Sequence, residues 1–269
     1  MLNLRIVLVT LLCTATIAGA QDTTRRAATP NNRVRGTGLD LVERMRAAYA
    51  GRWYTSLIFT QKTTQRGSDG VEKVTTWYES LRFTEHAGTQ LRIDTGSPTQ
   101  GNGVLYSGDS LWVVRGGKLA AARRGGNALL PLIEGVYMQP VSRTASELAP
   151  TGVDLSRPVL TGRWDNRTVL IAGATSAADS ISPQFWVDEE RNVVVRALLV
   201  PVPGTPTMDI RLEGIVPLAN GWLATKCSFF VAGALTQVEE YGDWKANVDL
   251  PSGLFSIQEW TTALHWANR

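Results

Sequence analysis

Hydrophobic positions along this chain recur with two different periods. Between Thr37 and Gly51 they fall at Leu39, Val42, Met45 and Tyr49, close to the spacing of one helix face. Thr37 and Asp40 are placed for a capping box and Gly51 stands where a helix-ending glycine belongs, so one amphipathic helix is expected. From Arg52 the period becomes two. YTSLIFTQKTTQ and VEKVTTWYESLRF flank GSDG and read as a long hairpin rich in β-branched and aromatic residues. The alternation continues through TQLRID, NGVLYS, SLWVVR and KLAAARR, joined at Ser107-Gly108-Asp109 and Gly116-Gly117 by turns short enough for neighbouring antiparallel strands. In VLYSGDSLWVV the turn joins two apolar runs, and the pattern leaves open whether Trp112 points inward or packs outside against the chain's end.

The meander is interrupted by GGNALLPLIEG, residues 125–135. Asn127 can cap one or two turns carrying Leu129, Leu130, Leu132 and Ile133, an unusually broad apolar side, and SRTASELAP suggests a second short helix. Strands then resume in RTVLIAGA, PQFWVDEERNVVVRALLV, TMDIRLEGIVPLANGWLATKCSFFV and ALTQVEEYGDW, with Asn220-Gly221 as a hairpin turn. Met208, Ile210 and Leu212 alternate with Asp209, Arg211 and Glu213, the pattern of a sheet with one wet face. The last residues carry a Pro-Gly turn and a candidate terminal helix with Trp260 and Leu264 inward. A helix, five or six strands, short apolar helices and about six more strands make a mainly β (α+β) fold. So many consecutive antiparallel strands are expected to curl into a half-open barrel or strongly curved sheet, with helices covering the concave side.

Residues 1–20 have the layout of a cleaved secretory signal: Arg5, an apolar run, and the small residues Ala18-Gly19-Ala20. Cleavage after Ala20 would leave a basic leader over 21–36, polar enough to be disordered, and a single domain over 37–269. Leu12 before Cys13 is too bulky for lipoprotein-type processing, so the mature protein is expected to be soluble and periplasmic, with Cys227 as its one buried thiol and no disulfide. Losing Arg5 reduces 27 basic residues to 26 against 24 acidic ones, a net charge too small to argue for nucleic acid. Nucleophile elbow, phosphate loop and metal-ligand spacing are all missing, and His86 and His265 stand apart. Asp188-Glu189-Glu190 reads as a solvated turn before it reads as a carboxylate site. Neither catalysis, cofactor nor metal is expected.

Several features fall in one order along the chain. They are the leading helix, Phe59-Thr60-Gln61, Leu91-Arg92-Ile93-Asp94, Ser107-Gly108-Asp109-Ser110-Leu111-Trp112-Val113, the insert Gly126 to Ile133, and Leu250-Pro251-Ser252-Gly253-Leu254-Phe255. In this order the chain resembles the LolA/LolB superfamily of periplasmic lipoprotein carriers and receptors, to which the sensor RseB is distantly related, with the LolA-like carrier branch favoured. The resemblance implies acyl chains sheltered in an apolar barrel under a lid formed by Leu129, Leu130, Leu132 and Ile133, hinged at Gly125-Gly126. Phe59, Trp77, Tyr106 and Trp112 are the wall candidates. It also implies lipid or lipoprotein cargo, an inner-membrane release complex and an outer-membrane receptor as partners, no nucleic acid, and a monomer. The family's carrier ties its lid to a basic residue in a barrel strand, and neither Arg82 nor Arg92 matches that position. Extra residues lie around 142–166 and 201–207. The alternatives are an RseB-like sensor module and a protein whose closed core holds no cargo.

Overall fold

The computed structural model describes residues 36–67, 69–202 and 204–268. The expected signal sequence and nearly all of the expected leader therefore lie outside the described residues. Helix α1 (Gly38–Tyr49) begins with the expected capping box, in which Asp40 Oδ2 accepts from the Thr37 backbone N–H at 2.6 Å and Thr37 Oγ1 accepts from Asp40 N–H at 3.3 Å. Its buried stripe is Leu41, Val42 and Met45; Leu39, expected inward, is exposed. The cause is the docking of the helix start, where Gly38 and Leu39 donate their N–H groups to the carbonyls of Arg157 and Leu155 and so set the rotation of the first turn.

Among the described residues thirteen antiparallel strands form one sheet that does not close. They are β1 (Ser56–Arg66), β2 (Glu72–Thr84), β3 (Gly88–Thr95), β4 (Gly103–Ser107), β5 (Ser110–Arg115), β6 (Lys118–Arg124), β7 (Leu160–Trp164), β8 (Arg167–Ala172), β9 (Gln184–Asp188), β10 (Val193–Leu199), β11 (Met208–Leu218), β12 (Gly221–Val231) and β13 (Ala234–Ala246). The spatial order β6-β5-β4-β3-β2-β1-β13-β12-β11-β10-β9-β8-β7 places β1 at the centre, paired on one side with β2 and on the other with β13. The chain thus runs from the middle of the sheet to one edge, crosses once to the other edge, and meanders back. That crossing, residues 125–159, is the apolar insert. It carries a π-helical turn (Pro131–Gly135), a short α2 (Val136–Met138) and α3 (Val141–Leu148), packs against α1, and covers the concave face between the two free edges. The extra residues around 142–166 are accordingly α3, the second short helix that SRTASELAP suggests, and the edge strand β7, which the pattern alone does not reveal. Edge strand β6 is almost wholly exposed and carries Lys118, Arg123 and Arg124, charges that discourage edge-to-edge pairing.

The convex face is covered by the chain's end. No terminal α-helix forms: residues after 250 make two short 3-10 turns, and Leu264 is exposed while Trp260 is buried. Two backbone carbonyls there are bound to an arginine of the sheet. Arg92, 1% exposed, donates to both carboxylate oxygens of Asp94 at 2.7 and 2.8 Å and to the carbonyls of Leu254 (3.0 Å) and Trp260 (2.9 Å), with its guanidinium 3.9 Å from the Trp260 ring centroid. His265 Nε2 lies 3.1 Å from Asp94 Oδ2, and Trp266 Nε1–H donates to Ser80 Oγ at 2.9 Å. Gly103 makes room for this packing, since a Cβ there would stand 2.0 Å from the Ile93 carbonyl oxygen and 2.9 Å from the Trp260 ring.

Candidate functional site

Strand register decides what faces inward. Leu57, Phe59 and Gln61 of β1 stand opposite Leu81, Glu79 and Trp77 of β2, which in turn stand opposite Leu91, Ile93 and Thr95 of β3. All of these line a cavity of about 650 Å³ on the concave side, together with Tyr106 and, from the returning half of the sheet, Met208, Ile210, Leu212, Phe229 and Tyr241. The interior of the sheet is therefore not filled by its own side chains.

Six of the eight candidate residues come together here. Phe59, Trp77 and Tyr106 lie in the wall, and Leu129, Leu130 and Ile133 face the cavity from the covering segment. Leu132 and Trp112 do not. Leu132 is fully buried in the main core and is absent from the cavity lining, because a helical turn that is apolar all round must send one leucine away from the space it covers. Trp112 pairs with Leu105, one residue out of phase with the Tyr106–Leu111 pair that lines the cavity, and so packs on the convex side with Val114, Leu254, Phe255 and Trp260. Gly125, before the covering segment, has φ +131°, a conformation that favours glycine.

The covering segment is fastened through Glu134. This carboxylate, 3% exposed, accepts from Trp53 Nε1–H and from the Tyr54 hydroxyl, each at 2.8 Å. Trp53 stacks on Tyr137 with ring centroids 3.8 Å apart, Tyr49 meets both rings edge-on, and Trp222 Nε1–H donates to the Tyr49 hydroxyl at 2.8 Å. Trp53 lies flat over Gly221, where any Cβ would come within 2.8 Å of the indole. Burial pushes the Glu134 carboxyl up to about 8, opposed by the two hydrogen bonds it accepts. Arg82 and Arg92 serve the other side: Arg92 holds the terminal segment, and Arg82 stacks over Phe255 at 4.1 Å.

Two further carboxyls stand in the cavity wall itself. Glu79 lies between Phe59 and Ile93 across the strands, with Trp77 and Leu81 on the same face of its own strand. Glu239, opposite Thr63, is held by Gln237 Nε2 at 2.6 Å and the Tyr241 hydroxyl at 2.5 Å. Burial raises Glu239 to about 7 and lifts Glu79 well above the ordinary carboxyl range, the charge of Glu239 adding to the second shift. Sequence reasoning passed over both, although the phase was readable. Glu79 shares parity with Trp77 and Leu81, and Glu239 with Gln237 and Tyr241.

Elsewhere the carboxyl run Asp188-Glu189-Glu190 is a hairpin turn, as expected, but Asp188 is buried where solvation was expected. It pairs with Arg167 and accepts the backbone N–H groups of Glu190 and Arg191, each at 3.0 Å, so it orders the turn. Cys227 is buried among core residues. Among the described residues no group of three or more His, Cys, Asp or Glu is placed to hold a metal ion, and no helix is long and apolar enough to cross a membrane.

No protein-family model and no curated protein matches the chain. Solved structures do. A domain provisionally assigned to outer membrane lipoprotein sorting from Vibrio parahaemolyticus superposes with a TM-score of 0.59 at 11% identity, covering 83% of this chain and 98% of that one. A DUF1329 family protein from Desulfovibrio piger gives 0.54 at 12% identity, with 81% and 95% covered. A LolA superfamily protein from Nitrosomonas europaea gives 0.50 at 17% identity, with 82% and 97% covered. Shared over four-fifths of the chain, and matching the open curved sheet with its covered concave side, these likenesses show that this protein has the LolA-like fold.

Proposed function

We propose that this protein is a periplasmic carrier, not an enzyme, that shelters the acyl chains of a lipid or lipoprotein and serves outer-membrane lipoprotein sorting. The observation that carries the reading is the cavity of about 650 Å³ beneath the leucine-bearing cover, walled mainly by apolar side chains and of a size that small-ligand sites ordinarily have. Burying each acyl CH₂ recovers about 0.8 kcal/mol, so about a dozen methylenes recover about 10 kcal/mol before the costs of binding. A carrier must also release. Leu129, Leu130 and Ile133 face the cavity and pack against the core, and a chain entering beneath them displaces apolar surface that is already buried, which lowers the net gain. The likeness to a lipoprotein-sorting domain and a LolA superfamily protein supports the same cargo class.

Native mass spectrometry of the chain incubated with a synthetic triacylated lipopeptide tests the proposal. One lipopeptide retained per chain is expected. A chain that takes up none, and that carries no lipid when purified gently from a periplasmic extract, overturns it.

A further inference from the structure

Glu79 is anomalous for an acyl-chain cavity. It is 5% exposed, lines the cavity, and its carboxylate makes no hydrogen bond or ion pair among the described residues. Its neighbours on the same face are Phe59, Trp77, Leu81 and Ile93; three of them have no donor, and the Trp77 indole N–H makes no hydrogen bond to it. A buried carboxyl with no partner costs stability, and a wall built only to exclude water would carry an aliphatic side chain at this position. Farther along the same wall Gln61, Gln237, Glu239 and Tyr241 make a polar strip, with Glu239 close enough to shift Glu79 electrostatically. The nearby Thr75 hydroxyl, also in the lining, is buried and unpartnered.

We propose that Glu79, backed by Glu239, is the binding site for a protonated primary amine, so that the preferred occupant of the cavity is an amphiphile carrying an ammonium group beside its hydrocarbon chain. This deepens the carrier reading and rests on it. An ammonium group supplies the N–H donors that Glu79 lacks, and a single positive charge offsets the carboxylate it meets in a low-dielectric wall. The hydrocarbon then occupies the apolar space between Phe59, Ile93 and the leucines of the cover. The titratable groups facing this position are Glu239, Tyr106 and Tyr241. None of them is cationic, and the two cations of the cavity lining, Lys73 and Arg115, make no ion pair with Glu79, so a ligand is the source of positive charge that fits this position. Burial and the charge of Glu239 favour the protonated form of Glu79, so an ammonium that pairs with it displaces a proton to solvent and leaves a carboxylate facing R–NH₃⁺.

The test uses the full chain at about pH 6 and follows displacement of bound 1-N-phenylnaphthylamine by dodecylamine, 1-dodecanol and dodecanoate. Wild type should bind dodecylamine about ten-fold or more tighter than dodecanol, the advantage a charge-assisted hydrogen bond gives, and dodecanoate weakest. In Glu79→Gln the amine advantage should shrink to about three-fold or less, with dodecanol binding unchanged, since the neutral amide still bonds but no longer pairs with charge. Calorimetry in two buffers of different ionisation enthalpy should show about one proton released per amine bound and none per alcohol. Equal binding of amine and alcohol by wild type, an amine preference that survives Glu79→Gln, or amine binding without proton release overturns the inference and leaves the carrier reading standing. Binding of none of the three probes overturns both. Unfolding midpoints of wild type and Glu79→Gln, together with Glu239→Gln as a second variant, separate loss of recognition from loss of fold.

Discussion

Replacing Glu134 by glutamine isolates the fastening of the cover. The amide keeps an oxygen to accept from Trp53 Nε1–H and presents an N–H to the Tyr54 hydroxyl, which can turn its own proton to the Trp222 carbonyl 3.3 Å away. What changes is titration. The folded carboxyl is raised from 4.5 to about 8 by burial. Below about pH 4.5 it is protonated in both folded and unfolded chains and contributes no slope. Between about 4.5 and 8 the unfolded chain releases the proton while the folded chain keeps it, so stability falls by about 1.4 kcal/mol per pH unit and by about 5 kcal/mol in all. Above about 8 the loss is complete. Glu239, raised to about 7, adds a loss of the same sign that ends one pH unit sooner. Urea unfolding at pH 5, 6, 7 and 8 should therefore show Glu134→Gln close to wild type at pH 5 and more stable by about 3 kcal/mol or more at pH 8. Glu134→Ala, which strands two buried donors, should lose about 2–5 kcal/mol at pH 5. If the wild-type and Glu134→Gln stability curves run parallel from pH 5 to 8, Glu134 is not the buried, proton-holding fastener described here.

Arg92→Met should destabilise by about 3–5 kcal/mol, because it leaves Asp94, 0% exposed, as an uncompensated charge, and limited proteolysis should then cut within residues 250–268 before the sheet. Trp112→Ala should lower the unfolding midpoint yet leave uptake of dodecanol unchanged, whereas Phe59→Ala should weaken that uptake; equal effects of the two on uptake would refute the assignment of faces. Leu132→Ala should cost about 2–5 kcal/mol of stability, while the half-buried Leu129→Ser should cost about 1 kcal/mol or less and change lipid uptake, as thermal melts and lipid-displacement titrations would show. Gly221→Ala should shift Trp53 and cost about 1–3 kcal/mol, read from denaturant unfolding and from Trp fluorescence.

The strand meander was legible because most strands have one apolar and one polar face, and that contrast is what period two reports. Where both faces are covered the contrast vanishes. In Leu111-Trp112-Val113-Val114 the cavity takes one parity and the terminal segment the other, so nothing in the pattern could place Trp112. The terminal helix failed for a different reason. Trp260 and Leu264 are spaced as on one helix face, but the carbonyls of Leu254 and Trp260 are committed to Arg92, a partner more than 150 positions earlier that no local pattern announces. Likewise Glu134 looked like an ordinary polar residue in a short helical turn. Its partners, Trp53 and Tyr54, lie in the loop after α1, and only the fold brings the two segments together.

The two faces of the sheet divide the work of stability and of proposed binding. A carrier cavity is a defect by the standards of a packed core: its wall atoms lack partners, and the fold must be held by something other than filling it. Here the convex side supplies that hold, through the Arg92–Asp94 pair, the Trp260 indole against the guanidinium, and the cluster of Leu105, Val114, Leu254 and Phe255, all remote from the cavity. The covering segment is secured elsewhere, at Glu134 by two hydrogen bonds and an aromatic stack and, farther along, by Arg46 donating to the Gln139 carbonyl and Arg143 to the Ala87 carbonyl, while Leu129, Leu130 and Ile133 face the cavity. Such an arrangement lets the cover move without loosening the sheet, because the contacts it breaks are not those that keep the strands curved. It follows that variants on the convex face should change unfolding and leave lipid affinity alone, whereas variants at Glu134, Trp53 or the wall should shift lipid affinity as well as stability. A convex-face variant such as Arg92→Met that, while still folded, altered lipid affinity as much as Glu134→Ala would show that the two faces are energetically coupled and that this division is wrong.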